Sequence, residues 1–313
     1  MHILSKLQIG MRKTLVSLSL GALCVFWVPS LASACACGCS VFTVGTPWSM
    51  PIRSGFEVFF QYNFMDQTSD WSRYSGVPAS LNSDLEIRTA FYTLGLQYMA
   101  DRNWGVTVET PVWDRYFNTI LDNGDAASVT HSSVGDVRVL GMYTGLSGDM
   151  STGVQFGLKL PTGSFDQSLM DRDTQIGSGT TDFLLGGYQM GQEKGWGWFT
   201  QLMWQHAMNE RSGYRPGDSF DISGGIHIDN ILSSMGIIPT LQLAASLRGK
   251  DSGDQADPAN TGYERVYVSP GIEAVLSNNL SVFANVKIPL WTHVQGVQLV
   301  APALVGVTVS YDI

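Results

Sequence analysis

Apolar and polar residues alternate along most of this chain. In the first such segment, Val58 and Phe60 alternate with Glu57 and Gln61. Successive side chains of a β-strand point to opposite faces, so a period of two predicts strands with one apolar face. The pattern predicts an all-β protein of about 12 strands. We place them near residues 54–64, 86–100, 104–113, 134–145, 152–160, 182–190, 196–207, 219–228, 237–248, 264–276, 280–290 and 301–313.

The connections between these strands alternate in length. Segments 65–85 and 161–181 are long and polar, whereas 101–103 and 191–195 are short. Outer-membrane barrels have an even number of antiparallel strands, short periplasmic turns and long extracellular loops. A sheet in lipid must also close on itself, because hydrocarbon offers no hydrogen-bond partner to an open edge. We therefore predict an antiparallel transmembrane β-barrel over residues 53–313, with both chain ends in the periplasm.

The composition narrows the classes of protein that remain. Asp, Glu, Lys and Arg make up only 14% of the chain, against roughly 25% in soluble domains. Disordered chains need more charge and fewer aromatic residues than the 11% found here. Helical membrane proteins repeat apolar runs of about 20 residues, and this chain has one such run. The formal net charge of −9 argues against a nucleic-acid-binding surface.

The single apolar run lies at the N-terminus. Cations precede the stretch 15–28, and Ala32-Ser33-Ala34 supplies the small residues of a cleavage site. The pattern predicts a secretory signal peptide over residues 1–34. The cations that its removal takes away are Lys6, Arg12 and Lys13, which moves the formal net charge from −9 to −12.

Three cysteines, Cys35, Cys37 and Cys39, open the predicted mature chain. Export to an oxidising compartment makes an odd thiol cluster unexpected. Three interpretations stay open: a disulfide with one thiol left over, lipidation of Cys35 in a lipoprotein-type box, and binding of copper(I) or zinc by thiolates. No other cofactor is predicted. Because residues 35–52 precede the first strand, we expect a periplasmic tail or a plug that folds into the barrel mouth.

Aromatic residues are expected to mark both membrane interfaces. Tyr98, Trp104 and Trp196 lie next to short turns and predict a periplasmic girdle. The residues predicted for the opposite girdle are Trp113, Trp204 and Trp291, although strict alternation turns Trp113 and Trp291 inward. The last strand ends in alternating apolar residues up to Ile313, which resembles the assembly signal read by the barrel-assembly machinery.

Charged residues within the predicted strands fall on the face opposite the apolar one. In a membrane barrel this face lines the lumen. Their mixed signs are compatible with an ion-pair network that braces the wall and with a device that selects solutes. The seven candidates are Glu57, Glu109, Arg138, Lys159, Arg248, Glu273 and Lys287.

Several motifs in the second half of the chain resemble one family. They are the run 157–163 (Gly-Leu-Lys-Leu-Pro-Thr-Gly), the segment 177–188, Val134-Gly135-Asp136-Val137, residues 269–273 and residues 296–299. Together they resemble outer-membrane transporters of the phenol meta-degradation pathway family over most of residues 134–313. This resemblance implies a barrel in the bacterial outer membrane that passes small, often hydrophobic, molecules.

Three functions from different classes compete at this point. Passage of small, in part hydrophobic, solutes is the leading hypothesis, with the lipid bilayer as the barrel's surroundings and no nucleic-acid partner. A second hypothesis is a structural or electron-transfer barrel that docks a periplasmic metalloprotein or metal through its cysteines. A third is an enzyme resembling outer-membrane phospholipases, because His131-Ser132-Ser133 retains part of their motif. That motif's Asn is missing, so we predict that the protein is not an enzyme.

Overall fold

Strands make up most of the computed structural model, which describes residues 42, 45–46, 49–121, 123–229, 232 and 235–313. The predicted signal peptide and the three N-terminal cysteines lie outside the described residues. A search of the described part for a helix long and apolar enough to cross a bilayer found none.

The strands, in chain order, are β1 (Gly55–Gln67), β2 (Ser69–Arg73), β3 (Ser75–Gly76), β4 (Asp84–Met99), β5 (Trp104–Ile120), β6 (Ala126–Val134), β7 (Val137–Tyr143), β8 (Thr152–Leu160), β9 (Asp182–Glu193), β10 (Trp196–Ala207), β11 (Ser219–Ile228), β12 (Ile237–Arg248), β13 (Tyr263–Val275), β14 (Leu280–Val300) and β15 (Leu304–Asp312). A short 3-10 helix, Ala79–Leu81, follows β3.

The wall closes because the first and last strands meet. β1 pairs with β4 on one side and with β15 on the other, and β13 pairs with β14. β6 and β7 lie end to end beside β5, separated by Gly135 and Asp136, and form one wall strand. Since β2 and β3 extend beyond the ring, the wall is a closed antiparallel barrel of 12 strands. The predicted fold class is confirmed.

The two ends of the barrel differ in their connections. The short-turn end also carries both termini of the barrel, and its connections are 100–103, 144–151, 194–195, 229–236 and 276–279. At the long-loop end the longest connections are 161–181, 208–218 and 249–262. The alternation predicted from the sequence is therefore present.

One predicted loop is instead strand. We expected a polar loop over residues 291–300, but β14 continues to Val300. The register in which β1 pairs with β15 continues between β2 and residues 297–300. The chain therefore reverses at Gln295 and Gly296, where Gly296 has a φ of 61°. Glycine adopts this left-handed conformation without steric cost, so a tight hairpin projects from the long-loop end.

Side chains alternate between the lumen and the outer surface. On β1, Gln61 and Asn63 are buried, whereas Phe56 and Phe60 are about half exposed. Soluble proteins rarely expose continuous apolar patches of this kind. An apolar outer band and a polar interior instead match a barrel surrounded by lipid. Other exposed apolar side chains on the wall include Leu94, Leu96, Val106, Phe156, Leu202, Leu241, Leu243, Ile272 and Val309.

The aromatic residues at the long-loop end need correction. Trp113 faces the lumen, where it packs against buried Phe91, so it does not belong to an outer girdle. Trp291 is 42% exposed and lies on the outer surface. A register shift between Val266 and Tyr267 of β13 inserts one extra residue into β14, which turns Trp291 outward. At the short-turn end, Tyr98, Trp104 and Trp196 are exposed as a girdle requires.

A charge on the lipid-facing surface tests the position of the bilayer. Leu94→Arg, on the outer face of β4, is expected to lower the free energy of unfolding by about 2–4 kcal/mol, the cost of Arg near the bilayer midplane. Leu81→Arg is the matched control, because Leu81 is exposed in the 3-10 helix beyond the wall. Denaturant titration of both variants in lipid vesicles measures the difference. Equal stabilities would contradict this placement.

Candidate functional site

The described residues of the N-terminal segment lie inside the barrel. The backbone amide of Gly45 donates to Gln201 Oε1 at 2.9 Å, and Gln242 Nε2 donates to the Gly45 carbonyl at 2.9 Å. Gln155 Nε2 donates to the carbonyl of Ser49 at 2.7 Å, and the Ser49 hydroxyl donates to Gln201 at 2.9 Å. These glutamines lie on three different strands of the wall. The segment is therefore held across the lumen by hydrogen bonds to glutamine side chains of the wall.

Phe42 forms the apolar part of this cross-lumen contact. Its ring lies 5.3 Å from that of Phe91 on β4, and Phe91 meets Trp113 edge to face at 4.8 Å. Such aromatic pairs contribute about 0.5–1.5 kcal/mol beyond the area that they bury. The other buried members of the cluster are Met65, Ala244, Tyr267, Ala301 and Leu304.

A cavity of about 120 Å³ lies on the long-loop side of Phe42. Its apolar wall is formed by Phe42, Phe91 and Trp113. Its polar wall includes Glu109 of β5 and Arg138 of β7, which are directly opposite each other in the two strands. We call this space the outer cavity. The outer cavity combines a cluster of aromatic rings with charged groups. Its volume is roughly that of cavities that accommodate benzene in engineered proteins.

A larger space of about 920 Å³ lies at the short-turn end. Its lining includes Glu57, Gln97, Glu273, Met99 and Met50. Gln97 Nε2 donates to Glu57 Oε2 at 3.2 Å, which orients one carboxylate of this space. We call it the vestibule. The N-terminal segment separates it from the outer cavity, since Phe42 lines the cavity and Gly45 and Met50 line the vestibule.

A buried ion cluster lies beside the outer cavity. Lys159 Nζ is 2.8 Å from Asp136 Oδ2 and 3.0 Å from Asp182 Oδ2, and all three side chains are at most 8% exposed. The Ser178 hydroxyl contacts the same ammonium group. Asp136 also accepts hydrogen bonds from the amides of Gly163 and Ser178, each at 3.0 Å. The cluster therefore joins β8, β9, the break between β6 and β7, and loop 161–181.

Two arginines stabilise loop 161–181: Arg115 of β5 joins the loop to the wall, and Arg172 joins two parts of the loop itself. Arg115, which is 1% exposed, donates to the carbonyl of Gln175 at 3.3 Å and to that of Thr174. Arg172 donates to the carbonyl of Phe165 at 2.9 Å and to that of Ser178 at 3.1 Å. In every one of these contacts a guanidinium group donates to a backbone carbonyl of the loop.

Two carboxylates outside the wall strands have opposite electrostatic environments. Burial, and then the charge of Asp257, raises the pKa of Asp171 in the long loop. Hydrogen bonds from the side chain and backbone of Ser151, with a further one from Ser147, lower the pKa of Asp149 to about 2. Asp149 therefore stays ionised at neutral pH at the short-turn end.

The structure divides the predicted lumen residues between the two spaces. Glu109, Arg138, Lys159 and Arg248 line the outer cavity, and Glu57 and Glu273 line the vestibule. Lys287 of β14 is 3% exposed and lines neither space. The cysteine cluster, Cys35, Cys37 and Cys39, lies outside the described residues, so soft-metal binding there stays a prediction.

Four residues that organise the site were missed from the sequence. Arg115 continues the inward positions of β5, but the predicted strand ended at residue 113. Asp136 shares the inward face with Arg138 in the predicted strand 134–145, and Asp182 begins the predicted strand 182–190, but neither was chosen because both lie at strand ends, Asp136 at the break between β6 and β7 and Asp182 at the start of β9. Gln201 is neutral, whereas all the residues predicted to line the lumen are charged. Extending the alternation along β5 would have found Arg115.

The phospholipase-like motif does not form a reactive pair. His131 and Ser133 lie on inward positions of β6, opposite Arg115 and Trp113. The Ser133 hydroxyl donates to the carbonyl of Val134 at 3.1 Å. No hydrogen bond joins it to His131 within the described chain, so the enzyme hypothesis gains no support here.

A comparison with protein families matches residues 56–299 of this chain to the family described as "Putative MetA-pathway of phenol degradation". This match covers most of the chain, so the protein belongs to this family. A comparison with curated proteins gave no significant match.

Solved structures of outer-membrane barrels resemble this fold. The COG4313 outer membrane channel from Pseudomonas putida F1 has a TM-score of 0.62 at 12% identity, covering 84% of this chain and 96% of that chain. The CymD monoaromatic hydrocarbon channel has a TM-score of 0.47 at 9% identity, covering 90% and 95%. The NanC porin has a TM-score of 0.43 at 11% identity, covering 83% and 100%. At 12% identity, the similarity to the first of these shows a shared fold.

Removing the ammonium group from the ion cluster is expected to leave two buried carboxylates without a counter-ion. Lys159→Met should therefore lower the free energy of unfolding by about 3–5 kcal/mol. Arg88→Ala is the control, since its pair with Glu86 is solvent-exposed and such pairs contribute about 0–1 kcal/mol. Denaturant unfolding in detergent micelles gives both values. A Lys159→Met variant as stable as Arg88→Ala would refute a structural role for the cluster.

Proposed function

We propose that this protein passes small, largely apolar solutes across the bacterial outer membrane. The outer cavity is the observation that carries this proposal. It lies in the lumen and holds aromatic rings on one side and charged groups on the other. Ligand sites are typically apolar concavities with a few placed polar groups. A single aromatic ring with a polar substituent matches the chemistry and size of this cavity.

The orientation follows from the connections. Short turns of outer-membrane barrels face the periplasm and longer loops face outward. On this rule the vestibule opens toward the periplasm, and solutes enter from the long-loop end. The apolar last strand is the element that the barrel-assembly machinery would recognise, and the bilayer surrounds the wall.

We further propose that the N-terminal segment closes the passage in this conformation. Its described residues lie between the two spaces and are held by the side-chain amides of Gln155, Gln201 and Gln242. Each neutral hydrogen bond contributes about 0.5–1.5 kcal/mol. Loss of a few such bonds would release the segment without disturbing the wall, which makes it suited to act as a gate.

Loosening this contact is expected to open the channel. The double variant Gln201→Ala and Gln242→Ala removes three hydrogen bonds to the segment and should raise single-channel conductance at least severalfold in planar bilayers. Gln298→Ala is the matched control, because Gln298 is equally buried but donates to the carbonyl of Gly262, in connection 249–262, and to that of Gln295, at the hairpin turn. If both variants conduct like the parent protein, the segment is not the closing element.

Filling the outer cavity is expected to stop solute passage. Thr93→Trp, on the lumen face of β4, places an indole in the cavity, which Thr93 lines. Thr110→Trp adds the same side chain to the outer face of β5, where it meets lipid. Uptake of radiolabelled toluene or benzyl alcohol by intact cells expressing each variant measures passage. We expect Thr93→Trp to reduce uptake to the level of cells without the protein and Thr110→Trp to leave it unchanged. Equal uptake by both variants would contradict the proposed route.

A further inference from the structure

Three methionines converge at the short-turn end of the lumen. Met99 of β4, Met142 of β7 and Met150 of the turn 144–151 form one buried cluster, with exposures of 1%, 1% and 0%. Methionine often fills gaps in apolar cores. This cluster, however, lies in a lumen whose other inward positions are largely polar, and the sulfur of Met142 accepts from two polar side chains. Thr107 Oγ1 lies 3.8 Å and Gln155 Nε2 lies 3.6 Å from Met142 Sδ.

A glycine between two of the methionines allows their side chains to meet. Gly105 of β5 pairs with Met99 on one side and with Met142 on the other. Strands are about 4.8 Å apart, so side chains two strands apart meet only if the middle position is empty. A Cβ built on Gly105 would lie 2.1 Å from Met99 Sδ. The Met99 sulfur therefore occupies the space above Gly105, on the side of Met142.

The third methionine has a strained backbone. Met150 has a φ of 66°, in the left-handed region that non-glycine residues rarely adopt. The hydroxyl of Tyr188 donates to the Met150 carbonyl at 3.0 Å, which helps to hold this conformation. Residues with strained backbones often lie at functional sites. Met150 adopts this conformation with its side chain fully buried in the cluster.

We propose that Met99, Met142 and Met150 bind a monovalent soft metal ion, copper(I) or silver(I). Thioethers are neutral, soft ligands that select copper(I) over hard divalent ions. Groups of three His, Cys, Asp or Glu side chains placed to hold a metal do not occur in the described part of the chain. The methionine cluster is therefore the metal-binding chemistry that this part of the lumen offers.

The vestibule supplies the route to this site. Met99 lines the vestibule together with the carboxylate of Asp149, which attracts cations. Gln155, beside the Met142 sulfur, also binds the carbonyl of Ser49.

Silver(I) is the probe, because it has the same ligand preference and needs no reductant. The test uses the full mature chain with Cys35→Ser, Cys37→Ser and Cys39→Ser, so that thiolates do not contribute. Equilibrium dialysis in detergent followed by metal analysis is expected to show about one tightly held silver ion per chain, bound through soft ligands. Absence of bound silver in this cysteine-free chain would overturn the proposal.

Three further variants in the same background separate ligation from packing. Exchanging Met99, Met142 and Met150 together for Leu conserves volume, which cores tolerate at low cost, and should weaken silver binding at least tenfold. Met203→Leu, in a separate buried cluster, should leave binding unchanged. Gly105→Ala adds no ligand and removes none, but displaces the Met99 sulfur, and should weaken binding as well. Unchanged silver affinity in the triple Leu variant would refute the site. Heat-dependent gel mobility shows whether each variant is folded.

Discussion

Closure of the main-chain hydrogen-bond ladder is the constraint on which this structure depends. A sheet surrounded by hydrocarbon has no water to satisfy an open edge. The first strand, β1, therefore pairs with the last, β15, and β13 pairs with β14. Once the ring is closed, one face of every strand meets lipid and the other face meets the lumen. The outer positions become apolar and the inner ones polar, and charge is confined to the lumen, loops and turns. The low proportion of charged residues and the strict alternation are two results of the same constraint.

The wall is interrupted between β6 and β7, and the buried ion cluster is built on this break. Between β6 and β7 the ladder breaks at Gly135 and Asp136, and neighbouring groups replace the missing strand contacts. The amide of Val137 donates to Thr162 Oγ1 at 2.9 Å, and the Thr162 hydroxyl donates to the Gly135 carbonyl at 2.8 Å. The Asp136 carboxylate, free to leave the wall at this point, accepts from loop 161–181 and binds Lys159. A break in the sheet thus anchors the long loop over the lumen and shapes the wall of the outer cavity.

The sequence shows which side chains point into the lumen, but it does not show which distant residues they contact. Alternation places Glu57, Glu109 and Lys159 inside because side-chain direction along a strand is a local property. It misplaces Trp291 because a bulge adds one residue to β14, and one residue reverses every later side chain. The alternation also predicts a loop where β14 in fact pairs with β2, because that pairing joins residues more than 200 positions apart. The bond between Gly45 and Gln201 spans 156 positions. No local pattern predicts contacts of this range.

The inner polar residues serve more than one element at once, and this limits how independently the parts of the lumen move. Gln155 is the clearest case: its side-chain amide donates to Ser49 of the N-terminal segment and also contacts the Met142 sulfur. Both contacts are made by the same Nε2 atom, so the position of this amide depends on Ser49 and on Met142 together. Coupling between two sites is reciprocal in free energy, so the position of the segment and the arrangement of the methionine cluster are linked through one side chain.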